Sequence, residues 1–228
     1  MSTRSPFPRS ADGRHRVFIV DDHPLVREWL AGLIGQESDL EVCGQAADAP
    51  VALAALPSAK PTIVIVDLSL NRSSGLELIK DIKNQYPSLH ILVLSMHEEP
   101  SFAERAFRAG ARGYIVKRES GSRVVEAIRA VTGGQFYASP ALASQLAGRM
   151  FGAPATSASP VESLSDREIE VFQLRGQGKG TKEIADHLKV SVKTVESYEA
   201  RIKEKLNLQN SGELMREAVR WHDRQSGV

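Results

Sequence analysis

Cysteine is nearly absent: the 228 residues hold one, Cys43. A single thiol forms no internal disulfide and offers no zinc cluster, so a disulfide scaffold is excluded and a reducing cytosol fits. Long apolar runs are missing too. None approaches the ~20 residues that a bilayer-crossing helix needs, so an integral membrane protein is excluded and no membrane partner is expected. Charge of one sign is also scarce. Lys and Arg number 29 against 28 Asp and Glu, which leaves no global basic field to mark a nucleic-acid partner. The opening residues, Met1 to Arg16, are polar and basic without an apolar signal core, so a cytoplasmic location is expected. What is present is an ordinary globular balance, 42% apolar and 25% charged, which excludes a wholly disordered or collagen-like chain. The length admits one large domain or two small ones at roughly 100–200 residues each.

Residues 1–14 read as a mobile tail of Ser, Pro, Arg and Gly with nothing to bury. Five short apolar runs follow: Val17–Val20, Leu40–Cys43, Ile63–Val66, Ile91–Leu94 and Tyr114–Val116. They are almost continuously apolar, as strands buried on both faces of a parallel sheet are. Between them apolar residues recur at helical spacing, as in Leu25, Val26, Trp29, Leu30, Leu33 and Ile34, or Val124, Val125, Ile128 and Val131. The alternation predicts an α/β doubly wound five-stranded parallel sheet over residues 15–135. Residues 136–160 read as a linker, rich in Gly, Ala, Ser and Pro between Gly152 and Pro160, with a short helix at Ala141–Met150. From 161 to 228 strand signals vanish. Ser165-Asp166-Arg167-Glu168 is a capping box that opens a helix, and Gly176 and Gly178 end it. Thr181, Ser191 and Ser211 are placed to cap three more helices, over Lys182–Lys189, Val192–Leu206 and onward to about Trp221.

The chemistry-bearing residues sit where the predicted strands end. Asp21 and Asp22 follow the first strand and Asp67 the third; Ser95 ends the fourth and Lys117 the fifth. In a parallel sheet these ends converge on one edge. Three carboxylates brought together repel unless a cation sits among them. Oxygen ligands without Cys or His favour a hard ion, and Mg²⁺ fits. A divalent ion, a lysine and a hydroxyl around one aspartate make a phosphoryl-transfer site, in which the carboxylate attacks phosphorus and the cations neutralise the equatorial oxygens. Taken alone, an aspartate ending a strand is a loop or helix cap; four companions change that reading. Cys43 reads as core, and His23 and His97 as loop residues rather than ligands.

Asp21-Asp22-His23-Pro24, Val66-Asp67-Leu68-Ser69-Leu70 with Gly75-Leu76-Glu77, Leu94-Ser95 and Gly113-Tyr114-Ile115-Val116-Lys117 together resemble the receiver domain of bacterial response regulators, over about Arg16 to Gln135. The resemblance implies a flavodoxin-like fold and a phosphoryl group accepted by Asp67 from a sensor histidine kinase. It implies Mg²⁺ held by Asp22, Asp21, Asp67 and the backbone carbonyl of Ser69. Ser95 and Lys117 would grip the phosphoryl oxygens, Tyr114 would be the switch aromatic, and His97 would flank the phosphate. Asn71 departs from the family's usual proline after the acceptor, which implies a looser loop with its chemistry intact.

The last segment, from Leu164-Ser165-Asp166-Arg167-Glu168 through Lys182-Glu183-Ile184-Ala185, Lys193-Thr194-Val195-Glu196 and Lys205-Leu206, resembles the LuxR-type helix-turn-helix. With the receiver it is similar to the NarL/FixJ class. Spacing puts Val195, Tyr198, Ile202 and Leu206 on an inward face of the third helix, packed on Ile169, Phe172, Ile184 and Leu188. Lys193, Thr194, Glu196, Ser197 and Ala200 then face a major groove. Lys182, Lys193, Thr194 and Lys205 suit phosphate contacts. Residues 161–228 carry 12 basic and 12 acidic residues, so a small helical interaction domain with a solvated face is the competing reading. Glu196 stands where the family often has lysine, Tyr198 where it has histidine, and Ala200 where a basic residue is frequent. The resemblance implies a homodimer on double-stranded DNA when phosphorylated, with Leu214, Ala218, Val219 and Trp221 of the last helix available to a partner. In the resting state the receiver would cover the third helix.

Two rivals remain. One is an aspartyl-phosphate hydrolase, which needs a second aspartate two residues after the nucleophile; Ser69 occupies that place. The other is a DNA- or protein-binding regulator with a silent receiver. The expectation is a non-enzyme, limited to self-phosphorylation and slow autodephosphorylation.

Overall fold

A computed structural model describes residues 10–70, 73–96, 100–119, 121–150, 160–188 and 190–226. The predicted apolar runs become β1 (His15–Val20), β2 (Leu40–Ala46) and β3 (Ile63–Asp67). A two-residue pair, β4 (Ser69–Leu70) and β5 (Ser73–Ser74), follows, then β6 (His90–Ser95) and β7 (Gly113–Val116). The five longer strands form one parallel sheet in the order β2-β1-β3-β6-β7. Its three central strands are buried along almost their whole length, as strands covered by helices on both faces must be. The helices are α1 (Pro24–Gly35), α2 (Ala49–Ala59), α3 (Gly75–Gln85), α4 (Pro100–Ala109) and α5 (Gly121–Thr132). One core cluster joins Leu30 and Ile34 of α1 with Val124, Ile128 and Val131 of α5 across Val17, Ile19, Ile65 and Leu92.

Sequence spacing hides two elements. α2 is nearly uniformly apolar, so no amphipathic stripe marks it; Asp48 caps it by accepting from the Val51 amide at 3.0 Å. The β4–β5 pair is antiparallel and too short to carry a periodic signal. Order also extends beyond the expected bounds. Ser10 to Arg14 form a turn, and Arg14 pairs with Glu41 at 2.9 Å. Tyr137 exchanges backbone hydrogen bonds with Arg112 and Tyr114, both 2.9 Å, as an isolated parallel bridge beside β7. Helix α6 (Pro140–Met150) follows, with Leu142 buried. The expectations for Met1–Arg9, Asn71, His97 and Gly152–Ser159 fall outside the described residues.

The chain folds as two compact units, Met1–Gly148 and Arg149–Val228. The second unit is helical: a 3₁₀ turn at Pro160–Ser163, then α7 (Asp166–Gly176), α8 (Thr181–Leu188), α9 (Val192–Lys205) and α10 (Ser211–Ser226). The Ser165 capping box forms as read: Ser165 N donates to Glu168 Oε2 at 2.7 Å, and Glu168 N to Ser165 Oγ at 3.4 Å. Ser191 caps α9 by accepting from Thr194 N at 3.0 Å. The other two caps lie one residue earlier than spacing suggests. Glu183 reaches back to Gly180 N at 2.7 Å, and Asn210 Oδ1 accepts from Glu213 N at 2.9 Å.

The expectation for the last helix needs correcting. Leu214, Ala218 and Trp221 are buried within the unit. The Trp221 ring lies 5.7 Å from that of Phe172 on α7, and a Cβ on Gly176 would stand 2.6 Å from the Ala218 carbonyl oxygen. Small residues let α7 and α10 approach so closely that this face is used up in the core. Of the four named residues only Val219 is left half-buried, on a side shared with Met215 and His222.

Candidate functional sites

At the carboxyl edge of the sheet, β1 delivers Asp21 and Asp22, β3 ends in Asp67, β6 ends in Ser95, and Lys117 follows β7. The parallel register brings these ends level, with Asp67 opposite Leu94 and Ser95 opposite Val116. Lys117 Nζ lies 2.7 Å from Asp67 Oδ2 and 2.7 Å from Asp21 Oδ2. Both carboxylates are almost wholly buried. Burial raises the Asp67 pKa; the Lys117 ammonium opposes this, and the nearby Asp21 adds to the rise. Burial likewise works against the Lys117 ammonium, but Asp67 and Asp21 outweigh it and hold its pKa above the usual lysine value. The Ser69 amide donates to Asp67 Oδ1 at 3.2 Å. Ser95 is buried, and its carbonyl accepts from Lys117 N at 2.7 Å. Tyr114 is fully buried three residues before Lys117.

Asp21, Asp22, His23 and Asp67 place one ligand atom each within 4.8 Å of one another. Oδ2 of Asp21 and Oδ1 of Asp22 are buried yet accept no aligned hydrogen bond, although Lys117 and His23 nitrogens stand at 2.7 and 2.8 Å. Carboxylate lone pairs left over in a buried cluster suit a hard cation with oxygen preference. The three aspartates therefore fit the ion that their chemistry implies. Sequence reasoning set His23 aside as a loop residue; its ring nitrogen faces Asp22 across this cluster. It also missed Arg27, whose Nη1 donates to the Asp21 carbonyl at 2.6 Å. No motif marks that interaction, which depends on the first turn of α1.

Gly75 fixes the loop behind the acceptor. A Cβ there would stand 2.2 Å from the Asp67 carbonyl oxygen and 2.5 Å from Leu68 Cα. The start of α3 thus sits directly against the backbone of Asp67, and the Gly75 amide donates to the Leu68 carbonyl at 3.1 Å.

In the helical unit, Lys193, Glu196, Ser197 and Ala200 are exposed along α9, Thr194 is half-buried in the cap, and Lys182 is exposed in the first turn of α8. Ser191, Lys193, Thr194, Ser197, Tyr198 and Arg201 line a shallow hollow of about 310 Å³. Tyr198, expected inward, borders this hollow, and Arg201 joins a face that spacing did not assign to it. The buried stripe of α9 is Val195, Glu199 and Ile202. Lys205 stands apart from the expected phosphate-contacting set. Its ammonium lies 2.7 Å from Glu168 Oε2 and donates to the Ser163 carbonyl at 3.2 Å, so its charge is paired within the unit although the side chain remains exposed. Burial works against the Glu168 carboxylate, but Lys205 and Ser165 overcome it and leave its pKa below the usual value.

Among the described residues no helix is long and apolar enough to cross a membrane. Residues 17–129 match the response regulator receiver domain, and residues 162–218 match the luxR family of bacterial regulatory proteins. The response regulator GacA of Pseudomonas viridiflava is 36% identical over 205 residues, covering 90% of this chain and 95% of GacA. The oxygen regulatory protein NreC of Staphylococcus carnosus is 35% identical over 210 residues, covering 90% of this chain and 97% of NreC. Among solved structures, RcsB from Salmonella enterica serovar Typhimurium, bound to promoter P1flhDC in the presence of the phosphomimetic BeF3-, superposes with a TM-score of 0.68 at 27% identity. That match covers 90% of this chain and 98% of RcsB. A receiver with its acidic cluster and lysine, joined to a helix-turn-helix of this type along nearly the full length of such relatives, places the chain in the NarL/FixJ class of two-component response regulators.

Proposed function

We propose that Asp67 takes a phosphoryl group from a sensor histidine kinase, and that its phosphorylation state controls dimerisation and sequence-specific DNA binding to regulate transcription. The observation that carries the first half is the Lys117 ammonium, 2.7 Å from two carboxylates that lie far from it in sequence. The Asp67 carboxylate attacks phosphorus, the phosphorus–nitrogen bond of the phosphohistidine breaks, and the histidine nitrogen leaves with the bonding pair. Lys117 and Ser95 then hold the phosphoryl oxygens as charge develops on them. Asp21, Asp22, Asp67 and the Ser69 carbonyl would hold Mg²⁺, which when bound neutralises phosphoryl charge. Inward fixing of Ser95 acts on Tyr114, which shares backbone hydrogen bonding with Tyr137. Ser69 is no general acid, so turnover of outside substrates is not part of this reading.

The receiver is taken to cover 15–135 and the DNA-binding module 161–228, with the turn at Ser10–Arg14 and the bridge at Tyr137 held against the receiver rather than belonging to a tail or connector. The promoter complex of RcsB supports DNA as the ligand of the helical unit. Lys182, Lys193 and Thr194 contact phosphate; Glu196, Ser197 and Ala200 face base edges, with Glu196 able to accept from a cytosine amino group. A gel that retards phosphoproteins, run after treatment with acetyl phosphate and Mg²⁺, should show a shifted band that Asp67→Ala abolishes. A shifted band in Asp67→Ala, or none in the wild type, refutes the assignment. A shifted band without any increase in DNA binding favours the silent-receiver rival.

A further inference from the structure

Glu199 is a carboxylate in the middle of the buried stripe of α9, flanked by Val195 and Ile202. Its partner is Arg175, in the last turn of α7. Arg175 Nε donates to Glu199 Oε1 at 2.8 Å and Nη2 lies 2.5 Å from the same oxygen. The guanidinium also donates through Nη1 to the Lys179 carbonyl at 3.1 Å and through Nη2 to Thr181 Oγ1 at 2.5 Å. One side chain therefore ties the end of α7, the turn after it, the first residue of α8 and the centre of α9. Both partners are largely buried, with side-chain exposures of 15% and 8%.

Stability alone does not account for such a pair. Desolvating two charges offsets most of their attraction, and apolar residues of similar volume serve a core as well or better. A charged fork does supply direction. Apolar helix faces tolerate small rotations and slides, whereas a planar guanidinium with fixed acceptors on three elements does not. At 3.6 residues per turn, Ser197 and Arg201 lie roughly opposite Glu199 on α9, with Lys193 and Ala200 about a third of a turn from it. Pinning Glu199 therefore fixes the direction in which that outer face points.

We propose that Arg175 and Glu199 are positioning residues that set the rotational register of α9 and, through it, base-sequence discrimination. The inference rests on the reading of α9 as the DNA-facing helix. The test uses the full chain, a duplex selected by the wild type from a random pool, and a scrambled duplex of equal composition, at one salt concentration. In Arg175→Met/Glu199→Leu the unfolding midpoint should hold or rise, because an apolar pair replaces the ionic one. The affinity ratio between selected and scrambled duplex should fall roughly tenfold or more, through loss on the selected duplex. Scrambled-duplex affinity, which follows the unchanged outer charges, should stay nearly constant. Glu199→Gln keeps the volume and one acceptor and should lower the ratio with the fold intact. A folded variant of either kind with the wild-type ratio overturns the proposal, and so does a double variant that binds both duplexes equally more weakly. Failure of the wild type to select any duplex overturns the DNA reading instead, and the inference with it.

Discussion

Lys117→Met isolates the electrostatics of the acceptor site. The ammonium neutralises Asp67 and Asp21 at 2.7 Å each, in surroundings where both carboxylates are almost wholly buried. Methionine fills the same volume without charge and takes from the three clustered carboxylates the ammonium that pairs two of them. Removing one partner of a buried pair costs about 3–5 kcal/mol. For a unit of roughly 140 residues, whose unfolding entropy is about 2.1 cal/mol/K per residue, a loss of ~3 kcal/mol lowers the midpoint by about 10 °C. The freed carboxylates become a stronger cation site. A ligand at a hundredfold excess over its dissociation constant returns ~2.7 kcal/mol, so Mg²⁺ should restore most of the loss. Calorimetry of wild type and variant, each with EDTA and with Mg²⁺, reads both effects. A fall of less than about 3 °C, or an equal Mg²⁺-induced rise in both proteins, refutes the reasoning.

Gly75→Ala should cost ~1–3 kcal/mol and slow phosphoryl uptake, because the new Cβ must displace the Asp67 carbonyl; wild-type uptake from acetyl phosphate argues against so close an approach. His90 is buried at the start of β6 with its Nδ1 unpartnered, and burial together with Lys83, Arg112 and His15 lowers its pKa to about 4. The unfolded chain then binds the extra proton first, so stability falls as pH drops from about 6.5 toward 4, by up to ~2 kcal/mol at pH 5. His90→Leu should flatten that slope in urea titrations, and an unchanged slope places the acid sensitivity elsewhere. Glu196→Lys should bind DNA more tightly but less selectively, with a salt slope steeper by ~0.9 for each additional phosphate neutralised; equal or weaker binding to random DNA counts against the exposed Glu196 facing DNA.

The acceptor site is legible in the sequence because each of its residues closes a strand, and a parallel sheet turns that local fact into proximity. Asp21, Asp67, Ser95 and Lys117 need no long-range pattern beyond strand order. Arg27 and His23 escape such reasoning because their approach depends on the first turn of α1, not on a strand end. In the helical unit one capping box, single caps and apolar spacing locate the four α-helices, two of them a residue late at the start, and miss the 3₁₀ turn at Pro160–Ser163. The inward carboxylate of Glu199 breaks the apolar pattern, so spacing draws the stripe through Tyr198 instead. Lys205 reads as an unpaired base because its partner, Glu168, shows in the sequence only as part of a cap. Leu214, Ala218 and Trp221 read as a free face because Gly176, which lets α10 close on α7, looks only like a helix end.

The most direct test locates the phosphoryl group. Wild-type chain treated with acetyl phosphate and Mg²⁺, trapped with borohydride and digested, should yield one modified peptide in the mass spectrum, with the modification on Asp67. The same treatment with the metal chelated should yield none. Modification of Asp21 or Asp22 while Asp67 stays intact, or equal uptake without metal, contradicts the account.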